Sequence, residues 1–151
     1  MENLKTQIES LLKENLPSQV FIKVDVRKNF FSTDRYLKII IYTSEKTINN
    51  VQGQYPDLIS LSLEEDLTLK FQNYGGCGGQ SLYRNIDKSI EREKYMALGR
   101  DTITFRTPKK EEKAVLKALK SVCERYVSTL QNFKDRGLLR SHEGSDYSFL
   151  N

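Results

Sequence analysis

The longest regular pattern in the sequence is an apolar stripe near the C-terminus, typical of an amphipathic helix that buries one side. Thr107 and Pro108 suit the N-cap and the first position of this helix, and Gly137 suits its end. The stripe consists of Val115, Leu116, Leu119, Val122, Cys123, Tyr126, Val127, Leu130 and Phe133. A helix over 108–136 would be roughly 43 Å long at about 1.5 Å per residue. That length exceeds the diameter expected of a domain of this size, which predicts either a kink or a homodimer contact.

The rest of the chain predicts a sheet for this helix to cover. Helical spacing of apolar residues predicts an N-terminal helix over 2–15, which Pro17 ends. Alternating or continuous apolar residues predict strands over 19–27, 36–43, 58–63, 66–74 and 102–106. Weaker patterns favour short helices over 44–51 and 89–98. The predicted class is α+β: a mostly antiparallel sheet of four to five strands, with the N-terminal helix and the long C-terminal helix packed on one face.

Two details of the strand pattern set the expected pairing. The first two strands are predicted to form an antiparallel hairpin, joined by a loop that contains Phe30 and Phe31. The second strand is apolar on both sides at Ile39–Ile41, which predicts a central position in the sheet. Phe30, Phe31 and Tyr36 suit either a partner contact or packing at the end of the sheet, and packing is the interpretation that the sequence favours.

Length and composition bound the class of protein. The 151 residues predict one domain over 1–140, followed by a flexible polar tail over 141–151. The chain has no apolar run of the roughly 20 residues that span a bilayer, and its start lacks the apolar core of a secretory signal. We therefore expect a cytoplasmic protein with no membrane partner. Abundant Lys, Asn, Ile, Tyr and Phe are residues of A/T-rich codons, which favours a low-GC bacterium, a phage or a mobile element as the source.

The stretch 73–81 holds four of the eight glycines within five residues. Such a stretch cannot continue the strand before it, because ordering glycine costs much conformational entropy. It suits a wide turn or bulge at a corner of the sheet, a cradle of backbone N–H groups for a phosphate, nucleotide or small anion, or a loop that presents Cys77 as a nucleophile or redox thiol. It matches neither the P-loop nor the dinucleotide-binding pattern. The candidate ligand-binding residues are Tyr74, Gly75, Gly76, Cys77, Gly78, Gly79, Arg84 and Arg106.

Basic residues crowd the start of the C-terminal helix. Lys110, Lys113, Lys117 and Lys120 follow i, i+3 and i+4 spacing and fall on one face, with Lys109 beside them. This face is either the solvated back of the helix or a surface for a nucleic-acid backbone or an acidic protein. The net charge of +4 permits a polyanionic partner without requiring one.

The sequence is poor in groups that carry catalysis. Its single histidine, His142, lies in the tail, and its two cysteines lie far apart, so no metal-binding spacing occurs and no cofactor is indicated. The acidic turn Glu64-Glu65-Asp66 is expected to be a solvated edge. We therefore predict a non-catalytic protein that acts as an inhibitor or adaptor by occupying a protein or nucleic-acid partner. The alternatives are nucleic-acid binding by the lysine face and small-anion binding at 75–79.

Overall fold

The computed structural model describes residues 1–44, 59–72, 92–94, 102–105, 111–135, 137 and 145–151. These residues contain two helices and six strands: α1 (Glu2–Asn15), β1 (Phe21–Lys28), β2 (Arg35–Tyr42), β3 (Ile59–Glu64), β4 (Leu69–Gln72), β5 (Arg92–Lys94), β6 (Thr102–Phe105) and α2 (Glu112–Asp135). The α+β class is confirmed. One helix precedes the strands in the chain, the other follows them, and the sheet is antiparallel. The predicted count of four to five strands is not confirmed.

The sheet runs in the order β1-β2-β3-β4-β6-β5, and each neighbouring pair is antiparallel. The predicted β1–β2 hairpin is present, with Val24 opposite Ile39. The predicted central position of the second strand is also confirmed, because β2 lies between β1 and β3 and Ile39, Ile40 and Ile41 are all buried.

Both helices cover the same face of the sheet. Successive side chains of a strand point to opposite faces, and the register places Val24, Ile39 and Leu61 in one row. These residues belong to one apolar cluster with Leu4, Ile8 and Leu12 of α1 and with Val115, Leu119, Val122, Cys123, Tyr126 and Leu130 of α2. Both helices pack their apolar sides into this cluster, as the sequence predicted.

The C-terminal helix begins later than predicted. The carbonyl of Glu111 accepts the N–H groups of Ala114 at 3.1 Å and Val115 at 3.2 Å, which makes Glu111 the N-cap and Glu112 the first helical residue. The start at Pro108 was therefore wrong. The predicted end is confirmed, since Gly137 adopts φ 68° and its N–H donates to the Lys134 carbonyl at 3.0 Å.

The shorter helix removes one argument for a homodimer. Its 24 residues span about 36 Å at about 1.5 Å per residue. A compact domain of this size has a diameter of about 38 Å. The helix therefore fits within one molecule, and the homodimer stays a prediction without support from helix length.

The predicted short helix over 89–98 is wrong at its centre. Residues 92–94 form β5, in which Arg92 lies opposite Phe105 and Lys94 opposite Ile103. A short segment with a weak helical pattern takes the conformation that its neighbour in the sheet imposes, because strand preference depends strongly on context. The other short helix was predicted over 44–51, and all of that range except Ser44 lies outside the described residues.

The end of the chain packs against the domain. Leu150 is 7% exposed and belongs to the apolar cluster, with Tyr147 and Phe149 packed against it. The N–H of Asn151 donates to Gln131 Oε1 at 2.8 Å, and the hydroxyls of Ser145 and Thr43 lie 3.0 Å apart. The polar composition of the tail did not indicate these contacts for 145–151.

Candidate partner-binding surface

The tip of the β1–β2 hairpin, residues 29–34, carries two exposed aromatic rings. Phe30 is 93% exposed and Phe31 is 96% exposed. Their ring centroids lie 5.0 Å apart in an edge-to-face arrangement with an interplanar angle of 80°. The prediction that these rings pack at the end of the sheet is therefore wrong. The β1–β2 ladder ends at the Lys28–Arg35 pair, and the rings lie beyond it. Tyr36 is half-buried within β2 and is not part of the tip.

Hydrogen bonds hold the tip in one conformation. The Asn29 N–H donates to the Asp34 carbonyl at 2.9 Å, which closes the loop. The Asp34 N–H donates to Ser32 Oγ at 3.1 Å, and the Arg35 N–H donates to Glu65 Oε1 at 3.1 Å. The two phenylalanines are therefore presented on an ordered loop, which lowers the entropy lost when a partner binds them.

The turn between β3 and β4 is acidic and lies at the same end of the sheet. Glu65 and Asp66 are exposed, as the sequence predicted. The Leu67 N–H donates to the Glu64 carbonyl at 2.9 Å, and the Thr68 N–H donates to Asp66 Oδ1 at 3.0 Å. Leu67 has φ 66°, the left-handed conformation that closes a three-residue hairpin loop. Its side chain packs against the apolar cluster, which explains a leucine where glycine is usual.

The lysine face of the C-terminal helix is present in part. Lys113, Lys117 and Lys120 are exposed on α2 at helical spacing. Within the described residues, none of the three forms an ion pair. Lys109 and Lys110 precede the helix and lie outside the described residues. The structure thus places three of the five predicted lysines in one row.

The predicted glycine-loop site falls outside the described residues, as do its candidate residues Tyr74, Gly75, Gly76, Cys77, Gly78, Gly79, Arg84 and Arg106. The other cysteine, Cys123, is fully buried in the apolar cluster. Burial raises the pKa of its thiol from 9.0 to about 12, with a smaller contribution from the Glu124 carboxylate. A thiol held neutral in this way is not a nucleophile at neutral pH.

An open groove of about 420 Å³ lies at the other end of β1, between it and the end of α1. Its described lining is mainly apolar, with Leu12, Leu16 and Val20 among the residues, and Lys13 is the one charged side chain among those described. The ring of Phe21 at its edge stacks on Tyr42 with centroids 5.5 Å apart. The groove therefore offers a second apolar surface for contact.

Within the part of the chain that the structure describes, no group of three His, Cys, Asp or Glu side chains is placed to hold a metal ion. Neither described helix contains an apolar stretch long enough to cross a bilayer. Comparison of the chain with protein-family models, curated proteins and solved structures finds no match.

Proposed function

We propose that this protein is a non-catalytic binding protein that occupies a protein partner through the hairpin tip. The exposure of Phe30 and Phe31 supports this most directly. Aromatic residues are enriched among the few side chains that dominate the energy of protein interfaces. A contiguous exposed apolar patch is typical of an interaction site.

The size of the two rings makes them suitable as the main anchor of an interface. A buried phenylalanine removes about 150–250 Å² from water. At about 25 cal/mol per Å², the two rings together contribute roughly 8–12 kcal/mol before the costs of association. Those costs are about 4–15 kcal/mol, so the pair requires a well-matched pocket and some surrounding contact. The two rings contribute to binding through the contact area that they bury.

The test is affinity purification of the tagged protein from its own cells, with quantitative mass spectrometry. Phe30→Ser combined with Phe31→Ser should remove the bound partner while the far-UV circular dichroism spectrum stays unchanged, because both rings are outside the core. The matched control combines Lys113→Gln, Lys117→Gln and Lys120→Gln, which should leave that partner bound. A partner retained at full level by the phenylalanine variant would contradict the proposal.

A second candidate function is nucleic-acid binding through the lysine row of α2. The three lysines rise along the helix by about 6 Å and then about 4.5 Å, and they are exposed without ion pairs among the described residues. Three phosphate contacts predict a slope of about −2.7 in log affinity against log salt concentration. Affinity for a duplex would then fall about 40-fold between 50 and 200 mM salt.

This candidate has its own test. Gel retardation of a labelled duplex should be lost when Lys113, Lys117 and Lys120 are changed to Gln. A control with the same loss of charge, in which the exposed Lys13, Lys23 and Lys134 are changed to Gln, should keep it. Equal retardation by both triple variants would show that the row is a solvated helix face.

A further inference from the structure

Two loops of the sheet meet at the hairpin tip. The chain runs up β1 to the tip, down β2 and up β3 to the acidic turn, because each neighbouring pair is antiparallel. Tyr36 lies opposite Glu64 in the ladder, and Glu65 Oε1 accepts the N–H of Arg35 at 3.1 Å. The carboxylate of Glu65 therefore lies at the base of the loop that carries the two exposed rings.

The two loops and the residues that flank them carry a net negative charge. Residues 28–35 and 64–68 contain four carboxylates, Asp34, Glu64, Glu65 and Asp66, and two cations, Lys28 and Arg35, for a net charge of −2. The neighbouring Arg27 is paired with Asp25, with Nη2 and Oδ2 3.4 Å apart. The whole chain has a net charge of +4. The carboxylates around the aromatic tip thus make these two loops acidic on a chain that is basic as a whole.

We infer that the tip binds a protein pocket with an apolar floor for the rings of Phe30 and Phe31 and a rim of lysine or arginine side chains. This inference rests on the proposed function and names the chemistry of its partner. The exposed rings select an apolar cavity, and the carboxylates around them favour cations at its edge. Complementary charge around an apolar centre is the usual arrangement of a specific interface.

The same negative charges argue against an anionic membrane or a nucleic acid as the partner of the exposed phenylalanines. An anionic leaflet attracts basic segments, and a nucleic-acid backbone is contacted by lysine and arginine. Both would repel the two loops, whose segments 28–35 and 64–68 together carry a net charge of −2. A protein pocket fits both features, because its apolar floor accepts the rings and its cationic rim faces the carboxylates.

The experiment uses a random peptide library displayed on phage, selected on the full chain. Bound sequences should combine aromatic or aliphatic residues with Lys or Arg. The test variant combines Asp34→Asn, Glu65→Gln and Asp66→Asn, which removes three charges. Its amides keep the oxygen acceptors that Glu65 provides to Arg35 and Asp66 to Thr68. Affinity for a selected peptide should fall on the order of tenfold, at about 0.5 kcal/mol for each exposed charge pair.

The outcomes distinguish the basic rim, the proposed function and the choice of a protein partner. Peptides that are basic, need Phe30 and Phe31, and bind the amide variant more weakly support the inference. Peptides that need the two rings but show no excess of Lys or Arg overturn the basic rim and leave the proposed function standing. Recovery of no peptide that distinguishes the parent chain from Phe30→Ser with Phe31→Ser overturns both. Sedimentation of the parent chain, and not of that variant, with vesicles of phosphatidylcholine and phosphatidylserine overturns the choice of a protein partner.

Discussion

Replacement of Leu150 by alanine tests whether the end of the chain is part of the folded domain. Leu150 is 7% exposed within the apolar cluster. Leucine-to-alanine changes in cores cost about 2–5 kcal/mol. The lower end applies here, because 145–151 can detach while the rest stays folded, and the loss cannot exceed the docking free energy of that segment. We expect the free energy of unfolding to fall by about 2 kcal/mol.

Urea unfolding followed by circular dichroism measures this loss. With a slope of about 2 kcal/mol per M for a small protein, the midpoint should fall by about 1 M. The control is Leu150→Met, which keeps the side-chain volume and should cost less than about 1.5 kcal/mol. A midpoint for Leu150→Ala equal to that of the parent chain would refute the packing of this segment.

Three further predictions concern single positions and use the same unfolding assay. Leu67→Gly should be about 1 kcal/mol more stable than Leu67→Ala, because φ 66° strains any residue with a Cβ; the opposite order would exclude strain at this turn. Gly137→Ala should cost about 1 kcal/mol from backbone conformation alone, since its Cβ would meet no atom within 4 Å, and Gly137→Asn should cost less. An equal cost for Ala and Asn would argue against the left-handed cap. The pKa of Cys123 is raised from 9.0 to about 12, so the stability that its neutral thiol contributes is complete below pH 9 and is lost as the pH rises toward 12. Between pH 8 and pH 10 the parent chain should lose about 1 kcal/mol more than Cys123→Ala, and parallel pH profiles would contradict the burial of this thiol.

The regular elements with strong periodicity were predictable from the sequence. The helix α1 follows the spacing of Leu4, Ile8 and Leu12, and all three are buried as the spacing requires. The paired strands β1 and β2 follow an alternating run and a continuous apolar run. These patterns are reliable because a helix or strand in water must place its apolar side chains on the side that is covered.

The errors came from segments whose local pattern is weak. The tripeptide 92–94 is charged throughout, and its conformation comes from pairing with β6. Large aromatic residues are usually buried, and this general tendency does not hold for Phe30 and Phe31. The available signal was their position among turn-forming residues, Asn29 before them and Ser32 and Asp34 after them, which indicated a loop tip beyond the ladder.

Local patterns in the sequence were enough to predict the class of the fold, the amphipathic faces of its two helices, the central position of β2 and the end of α2 at Gly137. Each of these depends mainly on residues that are close together in the chain. The assembled fold was needed to show that the aromatic tip is exposed, that the turn over Glu64–Asp66 lies beside it and that Leu150 is buried. Exposure and charge surroundings depend on which distant segments come together, and residues 35 and 65 become neighbours only when β2 pairs with β3.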